Sequence, residues 1–426
     1  MTKLTIGFVG MTHLGLISGV AASQKGFKTI CIDVDQTKIT NLLSGKLPVS
    51  EPQLEELIRS NSDHLFFTAN PNDLIKCDVI YVAPDVGTDD SGQSDLSVLN
   101  SLLDVVFKAS NSEATIVILS QVPPGYTRGK WDGERSLYYQ VETLIFGRAI
   151  ERALFPERYI IGCAEPNTPL PKDYQNFLDV YECPILKMRY ESAELAKISI
   201  NMYLVSSVST TNTIAELCEK IGADWSEIAP TLRLDKRIGP HAYLTPGLGI
   251  SGGNLERDLA TFCNFSENFN VNANVVKSWV QDSQYRKNWP LRTFASIKNE
   301  LDEKPMIGIL GLSYKEDTHS TKNSPSIQVI SQLSEYSLKV YDPLVVWNEK
   351  WHKNTIVCNS AAEVIKDIEV LMILTPWKEF KNIDYQKSDL SKKLKVIIDP
   401  YGIIKKSDVV KQGYKLLTLG KSENLQ

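Results

Sequence analysis

The apolar run LTIGFV at residues 4–9 ends at a glycine-bounded turn, Gly10-Met11-Thr12-His13-Leu14-Gly15. An apolar helical stretch follows to about Lys25, and a second β-type run at 29–34 closes on Asp33 and Asp35. Strand, glycine turn, helix and strand make a βαβ unit, which commits the chain to a parallel sheet. Gly10 permits the tight turn and Gly15 the close helix–strand packing. The helix N-terminus, from Thr12 through His13 and Leu14, offers backbone N–H groups to a pyrophosphate. Asp33 lies 23 residues beyond Gly10. Its carboxylate can accept hydrogen bonds from a ribose, and its charge disfavours a 2′-phosphate, which favours NAD over NADP. Thr12 stands at the middle glycine position of such turns, where its Cβ takes space and its hydroxyl can donate to a phosphate. From the turn alone, a doubly wound domain with a changed ligand stays open.

No charged residue lies between Lys3 and Lys25, so a secretion signal is the alternative for this segment. Glycines at 7, 10, 15 and 19, His13, and the lack of a small-residue cleavage pattern argue against it. The seven cysteines are odd in number, widely spaced and without a CxxC pair. That pattern fits reduced thiols in a cytoplasmic protein, with neither a disulfide frame nor a zinc site. The five histidines have no metal-ligand spacing, so no metal is expected. A net charge of −5 argues against nucleic acid or an anionic membrane as the main partner, and leaves room for a local phosphate pocket.

At 426 residues the chain has room for two to four domains of roughly 100–200 residues. Apolar runs at 78–83 and 114–119 alternate with helical segments at 54–60 and 96–109, as in a covered parallel sheet. From about Ser192 the pattern changes to a stretch without Pro or Gly until Gly222. This predicts a spine helix over 192–222, serving either as a dimer interface or as a buried helix of one subunit. Strand–helix alternation restarts at Pro305, with runs at 306–312, 338–343, 369–375, 395–400 and 415–420. The expected architecture is α/β: two Rossmann-like doubly wound parallel-sheet domains joined by a central helical domain. The expected boundaries are 1–191, 192–300 and 301–426.

Ordered motifs along the whole chain carry a more specific likeness. They include Gly45…Glu51-Pro52, Ser120-Gln121-Val122-Pro123, Ala193-Glu194-Leu195-Ala196-Lys197…Asn201, Asn212, Arg237-Ile238-Gly239, Pro246-Gly247-Leu248-Gly249, Gly311-Leu312-Ser313-Tyr314-Lys315, Tyr341-Asp342-Pro343 and Trp377…Phe380. In this order they resemble the UDP-glucose/GDP-mannose dehydrogenase family of nucleotide-sugar dehydrogenases. The resemblance implies NAD as cofactor, a nucleotide-sugar substrate, a homodimer, and oxidation of a sugar C6 alcohol to a carboxylate by two NAD without metal. It assigns the family's lysine–asparagine pair to Lys197 and Asn201, at i, i+4 on one helix face. A lysine can stabilise a developing alkoxide, and an asparagine can fix its position. Arg237, Gly249 and Lys315 match substrate-side positions. In dimers of this family the matching arginine reaches the neighbour's substrate.

The departures from the family pattern are selective. The signature GFGGSCFPKD corresponds to Gly249–Asp258, where Asp258 is kept, Arg257 replaces lysine, and Asn254 stands in place of the nucleophilic cysteine. An amide cannot form the thiohemiacetal of the second oxidation. Cys263, nine residues on, is better explained as a buried thiol. Gln121 replaces a threonine, Phe146 replaces a glutamate, and Glu142 remains as an acid/base candidate. The sequence therefore favours one two-electron oxidation giving an aldehyde or ketone. A four-electron reaction without covalent catalysis and a non-catalytic nucleotide-binding homologue stay open.

Overall fold

The computed structural model describes residues 4–88, 94–383, 393–409 and 412–422. The chain divides into two compact units, residues 1–200 and 201–426. The first is built on eight strands: β1 (Thr5–Val9), β2 (Lys28–Ile32), β3 (Leu65–Thr68), β4 (Val79–Val82), β7 (Thr115–Ile118), β8 (Leu137–Gln140), β9 (Tyr159–Cys163) and β10 (Ile185–Arg189). Two short strands, β5 (Gly87–Thr88) and β6 (Ser94–Asp95), form a separate antiparallel pair. The sheet order is β10-β9-β8-β7-β4-β1-β2-β3, with β1 internal between β4 and β2 and the chain winding outward on both sides. Side chains alternate between its two faces, as the pleat requires. Val79 and Tyr81 join one buried cluster, and Ile80 and Val82 join the other.

The sheet is parallel as expected except where β8 and β9 pair antiparallel, Tyr139 opposite Gly162. After β8 the chain runs through 141–148 without regular structure, and the helix Ala149–Leu154 has only six residues.

In the second unit, β11 (Met306–Leu310), β12 (Ser337–Tyr341), β13 (Thr355–Val357), β14 (Val370–Ile373), β15 (Val396–Ile398) and β16 (Lys415–Leu417) form a fully parallel sheet in the order β13-β12-β11-β14-β15-β16. A long helix spans Tyr190–Ile221, starting in the first unit and ending in the second. Helices Trp225–Leu234, Asn254–Asn268, Asn274–Lys287 and Trp289–Ile297 follow it. The helical layer and the second sheet are tied at the chain's end. Glu219 accepts hydrogen bonds from Gly420 N–H (3.0 Å) and the Trp289 indole N–H (3.2 Å), and Trp225 N–H donates to the Gly420 carbonyl (2.9 Å). Gly420 has φ +76°, and a Cβ there would lie 2.8 Å from the Trp225 Cβ. Among the described residues no helix is long and apolar enough to cross a membrane.

Asp399, just past β15, is fully buried and accepts N–H groups of Ile404 (2.8 Å) and Tyr401 (3.2 Å). Burial pushes its carboxyl up from 3.8 to about 6. The folded state therefore holds this proton more tightly than the unfolded chain. Its contribution to stability is complete below about pH 4 and is lost as pH rises through 6. A rise of this size is a factor of roughly a hundred in proton affinity, or about 3 kcal/mol. The unfolding free energies of wild type and Asp399→Asn, compared from pH 4 to 7, should diverge by up to this amount, the wild type losing ground as pH rises. A difference independent of pH contradicts the assignment.

Candidate active site

At the end of β1 the chain turns sharply. Gly10 has φ +96°, and a Cβ on it would lie 2.8 Å from the Pro84 nitrogen at the exit of β4. Gly15 is constrained harder, since a Cβ there would lie 2.1 Å from the Gly10 carbonyl oxygen and 3.1 Å from that of Ala83. Both glycines are therefore dictated by close approach of backbone to backbone. The helix His13–Gln24 starts at this turn, with extended Thr12 before it. Asp33 is buried, and its carboxylate accepts N–H groups of Met11 (2.8 Å) and Asp35 (3.0 Å) and the Lys38 ammonium (3.0 Å). The acid is thus fixed against the turn.

The other turn residues are already engaged. His13 N–H donates to Asp85 Oδ2 (2.9 Å), and the Thr12 hydroxyl oxygen accepts Asp85 N–H (2.8 Å). The His13 ring stacks on Phe146 with centroids 4.1 Å apart, and its Nε2 lies 3.0 Å from Glu51 Oε1. The same buried Glu51 carboxylate accepts Gly147 N–H (3.0 Å) and Ala149 N–H (3.3 Å). Glu51 thereby pins the segment after β8 to the glycine turn. Leu14 is buried in the core beside Met11.

That pinned segment carries Glu142. Lys197, on the long helix, donates to Glu142 Oε1 at 2.7 Å and to the Glu142 carbonyl at 3.2 Å. Both side chains are mostly buried, 14% and 18% exposed. One turn earlier Glu194 is completely buried and accepts Gly125 N–H (2.6 Å) and Thr127 N–H (2.8 Å). Burial pushes the Glu194 carboxyl above the usual range. Glu194 anchors the long helix at the height where Lys197 projects, and so holds the lysine on its acid.

The second unit gathers the other sequence-derived residues. Asn201 Nδ2 donates to Asp258 Oδ2, both residues being buried, and Arg257 Nε lies 3.4 Å from Asp258 Oδ1. Asn254 is the first residue of the helix Asn254–Asn268 and is exposed. The loop before it is fixed by close contacts. Gly249 has φ +76°, and a Cβ there would lie 2.7 Å from the Ser283 carbonyl oxygen. Ser283 Oγ accepts Ile250 N–H (2.8 Å), and Asn212 Oδ1 accepts Gly247 N–H (2.9 Å). A Cβ on Gly252 would lie 3.0 Å from the Tyr314 ring. This seats the loop beside half-buried Lys315, whose ammonium lies 5.9 Å from the Tyr314 ring centroid. Cys263 packs partly buried between helices, and burial raises its thiol pKa, so it lacks the thiolate character of a nucleophile. Arg237 is 89% exposed and paired with Asp235 (2.7 Å).

The NAD binding domain of the UDP-glucose/GDP-mannose dehydrogenase family matches residues 4–182, its central domain 191–283, and its UDP binding domain 308–406. A UDP-glucose 6-dehydrogenase of Rickettsia prowazekii is 30% identical, covering 98% of this chain and 99% of that protein. The chain belongs to the UDP-glucose/GDP-mannose dehydrogenase family. Another relative, a Bacillus subtilis UDP-glucose 6-dehydrogenase, is 25% identical over 98% of this chain and 93% of its own length. The fold recurs in a UDP-glucose dehydrogenase from Pyrobaculum islandicum, with TM-score 0.83, 23% identity, and coverage of 99% of this chain and 98% of that one.

NAD is the cofactor of this nucleotide-sugar dehydrogenase family. The residues present fit its adenosine half, where Asp33 stands at a glycine turn too tight for any side chain. At the pyrophosphate position the fit is contested, because Asp85 already holds the His13 N–H.

Glu194 and Asp85 escaped sequence reasoning as site-shaping residues. Glu194 differs from any helical glutamate only by its burial. Asp85 follows β4 directly, and an acid at a strand exit beside a glycine turn is a legible signal. The Glu142–Lys197 pair yields a stability prediction. Removing one partner of a buried pair strands the other's charge and costs about 3–5 kcal/mol. Glu142→Ala should cost that much in denaturant unfolding, and Glu142→Ala with Lys197→Ala together should cost clearly less than the sum of the single changes. Additive losses contradict the pairing.

Proposed function

We propose that this family member oxidises a hydroxyl of a UDP- or GDP-activated sugar by one two-electron step, releasing an aldehyde or ketone. NAD, when bound, supplies the hydride acceptor. Lys197 stabilises the alkoxide as the hydroxyl proton leaves, and Glu142 takes that proton, 2.7 Å from the lysine ammonium. Asn201, four residues further along the same helix, positions the sugar oxygen, and Asp258 holds the Asn201 amide. Lys315, in the stretch matched by the family's UDP binding domain, serves the nucleotide and its phosphates together with Gly249 and Arg237, which lie in the stretch matched by its central domain.

One observation carries the single-step reading. At Asn254 the helix start presents an exposed amide where the family places its nucleophile, and Cys263 is held inward with its thiol proton retained. Oxidation past the carbonyl lacks its covalent route. Incubated with a panel of nucleotide sugars, the protein should release one NADH per sugar consumed, and Lys197→Ala should lower turnover about 10²–10⁴-fold. Two NADH per sugar would establish the four-electron reaction, and none with any sugar would establish a non-catalytic homologue.

The reading includes a homodimer built on the 192–222 helix, with Arg237 reaching the neighbour's substrate. Its support is the exposed apolar side chains of Tyr203, Leu217 and Ile221 on that helix and the exposed Arg237 guanidinium. Sedimentation at micromolar concentration should give twice the chain mass, and a monomer refutes it.

A further inference from the structure

The glycine turn is clasped from the neighbouring strand. Asp85, three residues past β4, closes a reciprocal pair with the helix start: its carboxylate accepts His13 N–H at 2.9 Å, and its own N–H donates to the Thr12 hydroxyl at 2.8 Å. The segment has little freedom to retreat. Ser120 Oγ donates to the Pro84 carbonyl at 2.5 Å, and Pro84 packs against Gly10 with no room for a Cβ between them. A carboxylate at a helix N-terminus satisfies the N–H groups and the positive end of the dipole, as a pyrophosphate would. It also brings a negative charge to the place a dinucleotide needs for two more.

We infer that Asp85 is a built-in competitor for the pyrophosphate of NAD: its carboxylate holds the anion position of the turn and must rotate away before the dinucleotide seats. The inference rests on NAD binding at the 10–15 turn. The backbone of Asp85 need not move, since its N–H can stay on Thr12 while the side chain turns toward solvent, where it is already exposed. Thr12 then has its hydroxyl proton free for a phosphate oxygen, so the residue that replaces the middle glycine is held in position by the same clasp. Binding of any ligand that carries the pyrophosphate is weakened by the cost of displacing Asp85. Binding of adenosine, which lacks it, is not.

The test is titration of the full-length protein with NAD, ADP-ribose and adenosine by calorimetry, for wild type, Asp85→Asn and Asp85→Ala. Asp85→Ala vacates the position and should tighten NAD and ADP-ribose about tenfold or more. Asp85→Asn removes the charge but keeps an acceptor for His13 N–H, and should give a smaller gain. Adenosine should bind all three equally, which also shows that the variants are folded. Unchanged or weaker ADP-ribose binding in Asp85→Ala overturns the inference, as does an equal gain for adenosine. Failure of NAD to bind wild type and both variants overturns instead the placement of the cofactor at this turn, and the inference with it.

Discussion

The approach of Gly15 to the Gly10 carbonyl sets the geometry of the first unit. A methyl group at Gly15 would sit 2.1 Å from that oxygen, so the first helix can start where it does only without a side chain. That closeness lets the helix N-terminus point at the carboxyl end of the sheet, where open α/β sheets bind ligands. The second sheet repeats the device. Gly311 has φ +92°, and a Cβ there would lie 2.4 Å from the Thr375 Cβ at the exit of β14. Asp342 accepts Leu312 N–H at 2.7 Å, as Asp33 accepts Met11 N–H at 2.8 Å. In each case a glycine ends the first strand, the exit of a neighbouring strand presses on it, and an aspartate after the second strand takes the turn's N–H. One chain thus builds two nucleotide cradles by the same backbone constraint, and side chains differentiate them: Asp85 at the first, and Trp377, whose indole N–H donates to Asp342 at 3.1 Å, at the second.

Chemistry is laid over this frame by buried pairs. Lys197 is held on Glu142, and Glu142 is held indirectly by Glu51, which ties its segment to the glycine turn. Asn201 is held on Asp258. These pairs keep their polar groups satisfied and oriented while little water reaches them, which in the proposed reading serves the transfer of proton and hydride. Nothing comparable supports a nucleophile at position 254, where the exposed amide caps no network among the described residues. In the proposed reading the binding frame has outlasted the second half of the reaction.

Much of this was legible in the sequence because backbone constraint leaves glycines and apolar runs behind. β1, β2, β4, β7, β11, β12, β14, β15 and β16 fall on the expected runs, β2 and β12 each starting one residue early, and the spine helix spans Tyr190–Ile221 against the expected 192–222. The strands that escaped include the sheet margins. β10 is largely exposed and reads Ile-Leu-Lys-Met-Arg, and β13 is a three-residue edge with two exposed positions. Edge strands need no continuous apolar run, so periodicity does not mark them. β8, Leu-Tyr-Tyr-Gln, and β9, Tyr-Ile-Ile-Gly-Cys, are short and interrupted by polar or small residues, so neither reads as a continuous apolar run. In the candidate site the pairings had no local signal: Lys197 with Glu142, Asn201 with Asp258 and His13 with Glu51 are joined by tertiary packing alone.

In the proposed reaction oxidation stops at the carbonyl. Mass spectrometry of the nucleotide-sugar product, formed in the presence of hydroxylamine, tests it most directly. The expected product is the oxime of a sugar that has lost two hydrogens, with no adduct on the protein. A uronate product, or substrate mass retained on a cysteine of the quenched protein, would contradict it.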